Sequence, residues 1–114
     1  MKEHIISVPI YDATLCIIDT KNIEKSLKKM RGKESSEESN LLSYLYWDHD
    51  KYSANWWLCI DFENLNIGAL VHELFHATHR ILEYFDVKFT TDNHEPFAYL
   101  IEYLYNECIK IKNN

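Results

Sequence analysis

Apolar residues recur at helical spacing across residues 65–85, and this repeat constrains the fold more than any other feature of the chain. At about 100° per residue, the apolar side chains fall on one broad arc of the helix and the polar side chains on the opposite arc. The apolar arc comprises Ile67, Leu70, Val71, Leu74, Phe75, Thr78, Ile81, Leu82 and Phe85. The sequence therefore predicts an amphipathic helix that covers a core with one face.

The opposite arc carries His72, Glu73 and His76, the polar members of the five-residue motif His72-Glu73-Leu74-Phe75-His76. Histidines at i and i+4 lie one turn apart on the same side of a helix, so two neutral imidazoles can converge on one zinc ion. A glutamate beside the first histidine is placed to take a proton from a zinc-bound water. A random sequence of this composition would contain the pattern about 0.03 times. The motif predicts a zinc-dependent hydrolase with one Zn²⁺ per chain and Glu73 as general base; a solvated polar helix face is the alternative.

A catalytic zinc site needs a third protein ligand and an open position for water or substrate. Residues 90–93 and Pro96 form a helix-start signal, after which apolar residues continue at helical spacing to about residue 111. Glu95 follows His76 by 19 residues on this second helix and is the predicted third ligand. The alternatives are Glu102, two turns further on, and then His94 and His79.

The segment His72-Glu73-Leu74-Phe75-His76-Ala77, followed by Glu95 on a second helix, resembles the gluzincin metallopeptidases, especially their minimal single-domain forms from bacteria and mobile elements. The resemblance covers residues 53–109. It implies a strand, an active-site helix and a glutamate-bearing helix, with His72, His76 and Glu95 as zinc ligands and Glu73 as base. Gluzincins often carry an acidic residue four positions after the third ligand, where this chain has Tyr99. A phenol can accept an imidazole N–H but adds no charge.

Two expectations concern the substrate, which we predict to be a peptide or protein. A donor to the tetrahedral oxyanion is expected near the metal, and the candidates by position are Tyr99, His79 and Arg80. In the resembling peptidases, the strand before the active-site helix is a sheet edge that holds an extended peptide by strand addition. We therefore expect residues 54–60 to form an edge strand that binds substrate.

The order of the elements predicts a single α+β domain over residues 1–114. Strands are expected at residues 5–10, 13–18, 41–47 and 55–62, with an amphipathic helix at 21–33 and a polar loop at 32–40. The two predicted C-terminal helices are the remaining elements. The predicted architecture is a small mixed sheet with an N-terminal helix, an active-site helix and a glutamate-bearing helix, as in a minimal zincin-like domain.

Composition excludes several classes of function. A net charge of −6 argues against a nucleic-acid partner, which would be bound through lysine and arginine contacts to phosphate. The chain has no apolar run long enough to predict a membrane span or a secretory signal. Cys16, Cys59 and Cys108 are odd in number and lie in separate apolar runs, as expected for buried free thiols in the cytoplasm.

A non-enzymatic function remains as the alternative. The same fold can serve as a zinc-stabilised scaffold, or as a regulatory module that binds a peptide or a partner without chemistry. Glu73 argues against both, since neither needs a base beside the metal.

Overall fold

The computed structural model describes residues 2–9, 11–22, 25, 43–49 and 54–114. The elements in this part of the chain are β1 (Lys2–Ser7), β2 (Ala13–Asp19), β3 (Ser43–His49), β4 (Ala54–Ile60), α1 (Ile67–Tyr84) and α2 (Glu95–Lys112). The helix predicted at residues 21–33 and the loop predicted at 32–40 lie almost wholly outside the described residues.

The four described strands form one mixed sheet in the order β1-β2-β4-β3. β2 and β4 run parallel at its centre, with Leu15 opposite Trp56, and each pairs antiparallel with one outer strand. The Thr14 hydroxyl donates a 2.6 Å hydrogen bond to Asn55 Oδ1 across the parallel pair. The predicted α+β class and mixed sheet are therefore confirmed, whereas the finer zincin-like assignment stays a prediction.

The prediction that residues 54–60 form a sheet edge is wrong. β4 pairs with β2 along one side and with β3 along the other, so its backbone has no free edge for an added peptide. Its side chains agree with that position, because Leu58 and its neighbour Cys59 point to opposite faces and are both fully buried. A strand buried on both faces is typical of the centre of a sheet. The described strand beyond β4 is β3, which also contacts α1.

One hydrophobic core joins the sheet to both helices. Leu15, Ile17 and Leu58 contribute from the central strands, and each is fully buried. The helix residues in the same core include Leu70, Leu74, Ile81 and Leu82 from α1 and Phe97, Leu100, Leu104 and Cys108 from α2. The apolar arc of α1 thus packs as predicted over most of its length, but Ile67, Val71 and Phe75 stay 41–45% exposed.

Local hydrogen bonds fix where α1 begins. The Asp61 carboxylate accepts from the Asn64 side chain at 2.8 Å and closes the turn after β4. Asn66 then caps the helix, because its Oδ1 accepts from the backbone N–H of Ala69 at 2.7 Å. The predicted range of 65–85 is therefore shortened by a residue or two at each end.

α2 begins at Glu95, with His94 at the N-cap position and Pro96 in the first turn. The expected helix-start signal at 90–93 thus lies just before the cap, and the His94 side chain makes no capping hydrogen bond. The Tyr103 hydroxyl donates to the backbone carbonyl of Ser7 at 3.1 Å and ties α2 to the end of β1. Neither of the two described helices combines the length and apolarity needed to cross a bilayer.

Candidate functional site

The two motif histidines converge on the exposed face of α1. His72 Nε2 and His76 Nε2 lie 3.2 Å apart, with the ring planes at 77° and the centroids 4.8 Å apart. Both side chains are exposed, so the pair is open to a ligand from solvent. The helix itself provides this arrangement, because residues i and i+4 share one face.

The separation between these nitrogens suits a single tetrahedral zinc ion. Two Zn–N bonds of about 2.0–2.1 Å at the tetrahedral angle place their nitrogens about 3.3 Å apart. The same 3.2 Å also suits a hydrogen bond in which one neutral imidazole donates to the other. The distance between the two nitrogens is therefore compatible with a shared zinc ion and equally with a hydrogen bond inside the pair.

The prediction of a metal-binding group assembled from three protein side chains is wrong. Within the described ranges, no three His, Cys, Asp or Glu side chains are grouped so that they could hold a metal ion. Glu95 is the first residue of α2, and its exposed carboxylate lies 3.9 Å from the Nδ1 of His94. Glu102 is also exposed and does not join the pair. The sequence-based description of an assembled gluzincin zinc centre is corrected accordingly.

Glu73 lies beside the histidine pair on α1 and is half-buried. Its carboxylate has no hydrogen-bond or ion-pair partner in the described part of the chain. A carboxylate with unused lone pairs next to an open site can accept a proton. The role of Glu73 as general base stays a prediction from the motif.

His79 lies one turn after His76 and is surrounded by aromatic rings. Its ring centroid is 4.5 Å from that of Phe75, 4.9 Å from Phe97 and 5.1 Å from Phe89. His79 Nε2 is buried without a hydrogen-bond partner among the described residues. A cavity of about 260 Å³ adjoins this cluster. Sequence reasoning proposed His79 but missed Phe89, since a single aromatic residue in a polar loop gives no periodic signal.

Tyr99 lies elsewhere. It is 66% exposed and lines an apolar cavity of about 360 Å³ together with Pro9, Tyr11 and Tyr103. No hydrogen bond or ring contact links Tyr99 to the histidines of α1 in the described part of the chain. The third candidate donor, Arg80, is exposed and lines a cavity with Trp56 and Tyr84. The described contacts thus bring neither Tyr99 nor Arg80 to the histidine pair.

The three cysteines are free, and none resembles an activated nucleophile. Burial raises the pKa of Cys59 and that of Cys108 to about 12, and also raises the pKa of the half-buried Cys16. A reactive cysteine needs a thiolate near neutral pH. The prediction of buried free thiols is confirmed for Cys59 and Cys108. Histidine and carboxylate groups are therefore the candidates for chemistry at this site.

Comparison of the chain with protein-family models, with curated proteins and with solved structures finds no match. The resemblance to gluzincins therefore stays a prediction from the motif.

Proposed function

We propose that this chain is a peptidase that hydrolyses peptide bonds, with Zn²⁺ as its cofactor and Glu73 as general base. The observation that supports the proposal is the 3.2 Å separation of His72 Nε2 and His76 Nε2 beside a carboxylate with unused lone pairs. The third protein ligand that a catalytic zinc needs is not grouped with this pair among the described residues, and Glu95 and Glu102 are tested for that role below.

Three side chains of α1 would have separate roles in hydrolysis. His72 and His76 would hold the ion through their Nε2 atoms. Bound zinc would supply Lewis acidity, which makes water and a peptide carbonyl more reactive. Glu73 accepts the proton of the attacking water and then delivers it to the leaving amine.

We place the substrate backbone along β3. This strand lies at one end of the described sheet order and contacts α1, which carries the histidine pair. An extended peptide that adds to the outer side of β3 would gain main-chain hydrogen bonds without displacing a strand. This assignment takes the place of residues 54–60, whose backbone is already paired on both sides.

A second function, a non-catalytic module that binds a peptide or protein partner, is favoured by two observations. The described residues contain no third ligand grouped with the histidines. Ile67, Val71 and Phe75 also leave an apolar stripe half-exposed on successive turns of α1. Such a stripe is typical of a surface that contacts another chain.

Zinc content and hydrolysis, measured on the same samples, test the proposal. We expect about one zinc per chain in the wild type and in Glu73→Gln, sharply less in His72→Ala and His76→Ala, and hydrolysis only by the wild type. Zinc should also raise the melting temperature of the wild type, by linkage. Glu95→Ala and Glu102→Ala show whether either carboxylate contributes to zinc retention.

Two results would contradict the proposal. A folded wild type that takes up no zinc after supplementation would favour the binding module. Hydrolysis retained by Glu73→Gln would remove Glu73 from the mechanism. Circular dichroism of each variant separates loss of the site from loss of the fold.

A further inference from the structure

We propose that the cavity beside His79 binds a lysine or arginine side chain of the substrate and so gives the peptidase a preference for basic peptides. This inference rests on the proposed function, because the cavity is assigned as a subsite beside the histidine pair. The residues that line it are His79, Glu83, Asp86, Val87, Lys88, Phe89 and Phe97.

The cavity lies close enough to the histidine pair to receive a side chain near the cleaved bond. His79 follows His76 by three residues, which is about 4.5 Å of helix rise. Glu83 lies about 10 Å beyond His76 on the same face, at 1.5 Å per residue. Since an extended peptide advances by about 3.3–3.6 Å per residue, the cavity is within reach of the first few residues beside the reacting carbonyl.

The cavity carries an excess of negative charge. Glu83 and Asp86 line it with Lys88 as the one lining amine, and neither carboxylate has an ion-pair partner among the described residues. A guanidinium or ammonium group entering the cavity would therefore meet unpaired carboxylates. Charge-assisted hydrogen bonds of this kind are stronger than those between neutral groups.

The aromatic walls suit a long basic side chain. Phe89 is 53% exposed and packs edge-to-face on Phe97, with centroids 4.9 Å apart. Aromatic rings attract cations and also pack against the aliphatic stem of lysine or arginine. A volume of about 260 Å³ lies below the usual range for whole small-molecule ligands, about 300–1,000 Å³. The cavity is therefore of a size for one side chain.

The backbone holds Asp86 in place before any ligand arrives. Asp86 has a φ of 61°, and its N–H bonds the carbonyl of Glu83 while the N–H of Val87 bonds the carbonyl of Leu82. These are the two hydrogen bonds of a Schellman motif that ends α1. Asparagine tolerates the same left-handed conformation, so Asp86→Asn removes the charge and keeps the backbone.

The test compares two acetylated and amidated alanine pentapeptides, one with a central arginine and one with citrulline, its neutral isostere. Binding is measured by calorimetry on zinc-supplemented Glu73→Gln protein, in which the proposed hydrolysis is blocked. We expect the arginine peptide to bind about tenfold more tightly, equivalent to about 1.4 kcal/mol. The difference should disappear in the added pair Glu83→Gln and Asp86→Asn. It should persist in the control pair Asp12→Asn and Glu63→Gln, which changes the net charge equally outside the cavity.

Equal affinity for the two peptides, or no binding of either, would overturn the inference. A preference that survives Glu83→Gln with Asp86→Asn would overturn it as well. Hydrolysis of the two peptides by the wild type is measured in a separate experiment. Cleavage of both peptides without preference would contradict the basic subsite but not the peptidase. An intact arginine preference without cleavage would contradict the peptidase but not the binding site.

Discussion

At the scale of single residues, adjacent positions of the histidine motif have different roles. Leu74 is completely buried in the core, whereas Phe75 is 45% exposed beside His79. His72 and His76 face solvent. The motif therefore carries a core position and two donor positions within five residues, and substitutions inside it should separate stability from chemistry.

Leu74→Ala should lower the free energy of unfolding by about 2–5 kcal/mol, because it removes buried methyl groups and leaves a cavity. Phe75→Ala should cost about 1 kcal/mol or less, since much of that ring is already in water. Urea denaturation followed by circular dichroism measures both. Equal losses for the two variants would mean that Phe75 is packed in solution by something beyond its described neighbours.

Residue spacing predicted the convergence of His72 and His76 because an α-helix fixes the relation between i and i+4 by itself. Residue spacing could not predict the position of Glu95 relative to that pair. It depends on how α2 packs against α1, which is set by contacts such as that of Phe97 with His79. Such contacts join residues distant in sequence, and no local pattern specifies them.

At the scale of elements, the hydrogen bond from Ala69 N–H to Asn66 Oδ1 defines the start of α1. Asn66→Ala should lower the free energy of unfolding by about 1 kcal/mol, because one of the orphan N–H groups of the first turn loses its acceptor. Asn66→Ser keeps a capping oxygen and should cost much less. Denaturant unfolding of the three proteins checks the order, and equal stability of the alanine and serine variants would contradict the role of the cap.

The sequence predicted whether each described element is a helix or a strand better than it predicted which elements lie next to one another. The predicted bounds of α1 and α2 were close to the observed ones, since long apolar repeats and Pro96 mark helices locally. The placement of β4 was not predictable in the same way. Trp56, Leu58 and Cys59 suit either a central strand or an edge strand covered by another element, and pairing order is decided by long-range contacts.

At the scale of the whole molecule, two buried thiols connect stability to pH. Cys59 lies in β4 and Cys108 in α2, and neither is accessible to solvent. Burial raises the pKa of each from 9.0 to about 12 in the folded protein. The folded state thus disfavours the thiolate, while the unfolded chain can lose these protons near pH 9.

The free energy of unfolding should therefore fall as the pH rises above 9. The stabilisation that comes from keeping both thiols protonated is fully present below pH 9 and is lost progressively as the pH approaches 12. Each thiol should contribute a slope of about 1.4 kcal/mol per pH unit in that window. Urea unfolding at several pH values between 8 and 10.5 measures the slope.

The variant with Cys59→Ala and Cys108→Ala should be less stable at pH 8, because it loses buried sulfur contacts. Its free energy of unfolding should nevertheless change less with pH above pH 9. Parallel curves for the two proteins would mean that other groups control the alkaline transition.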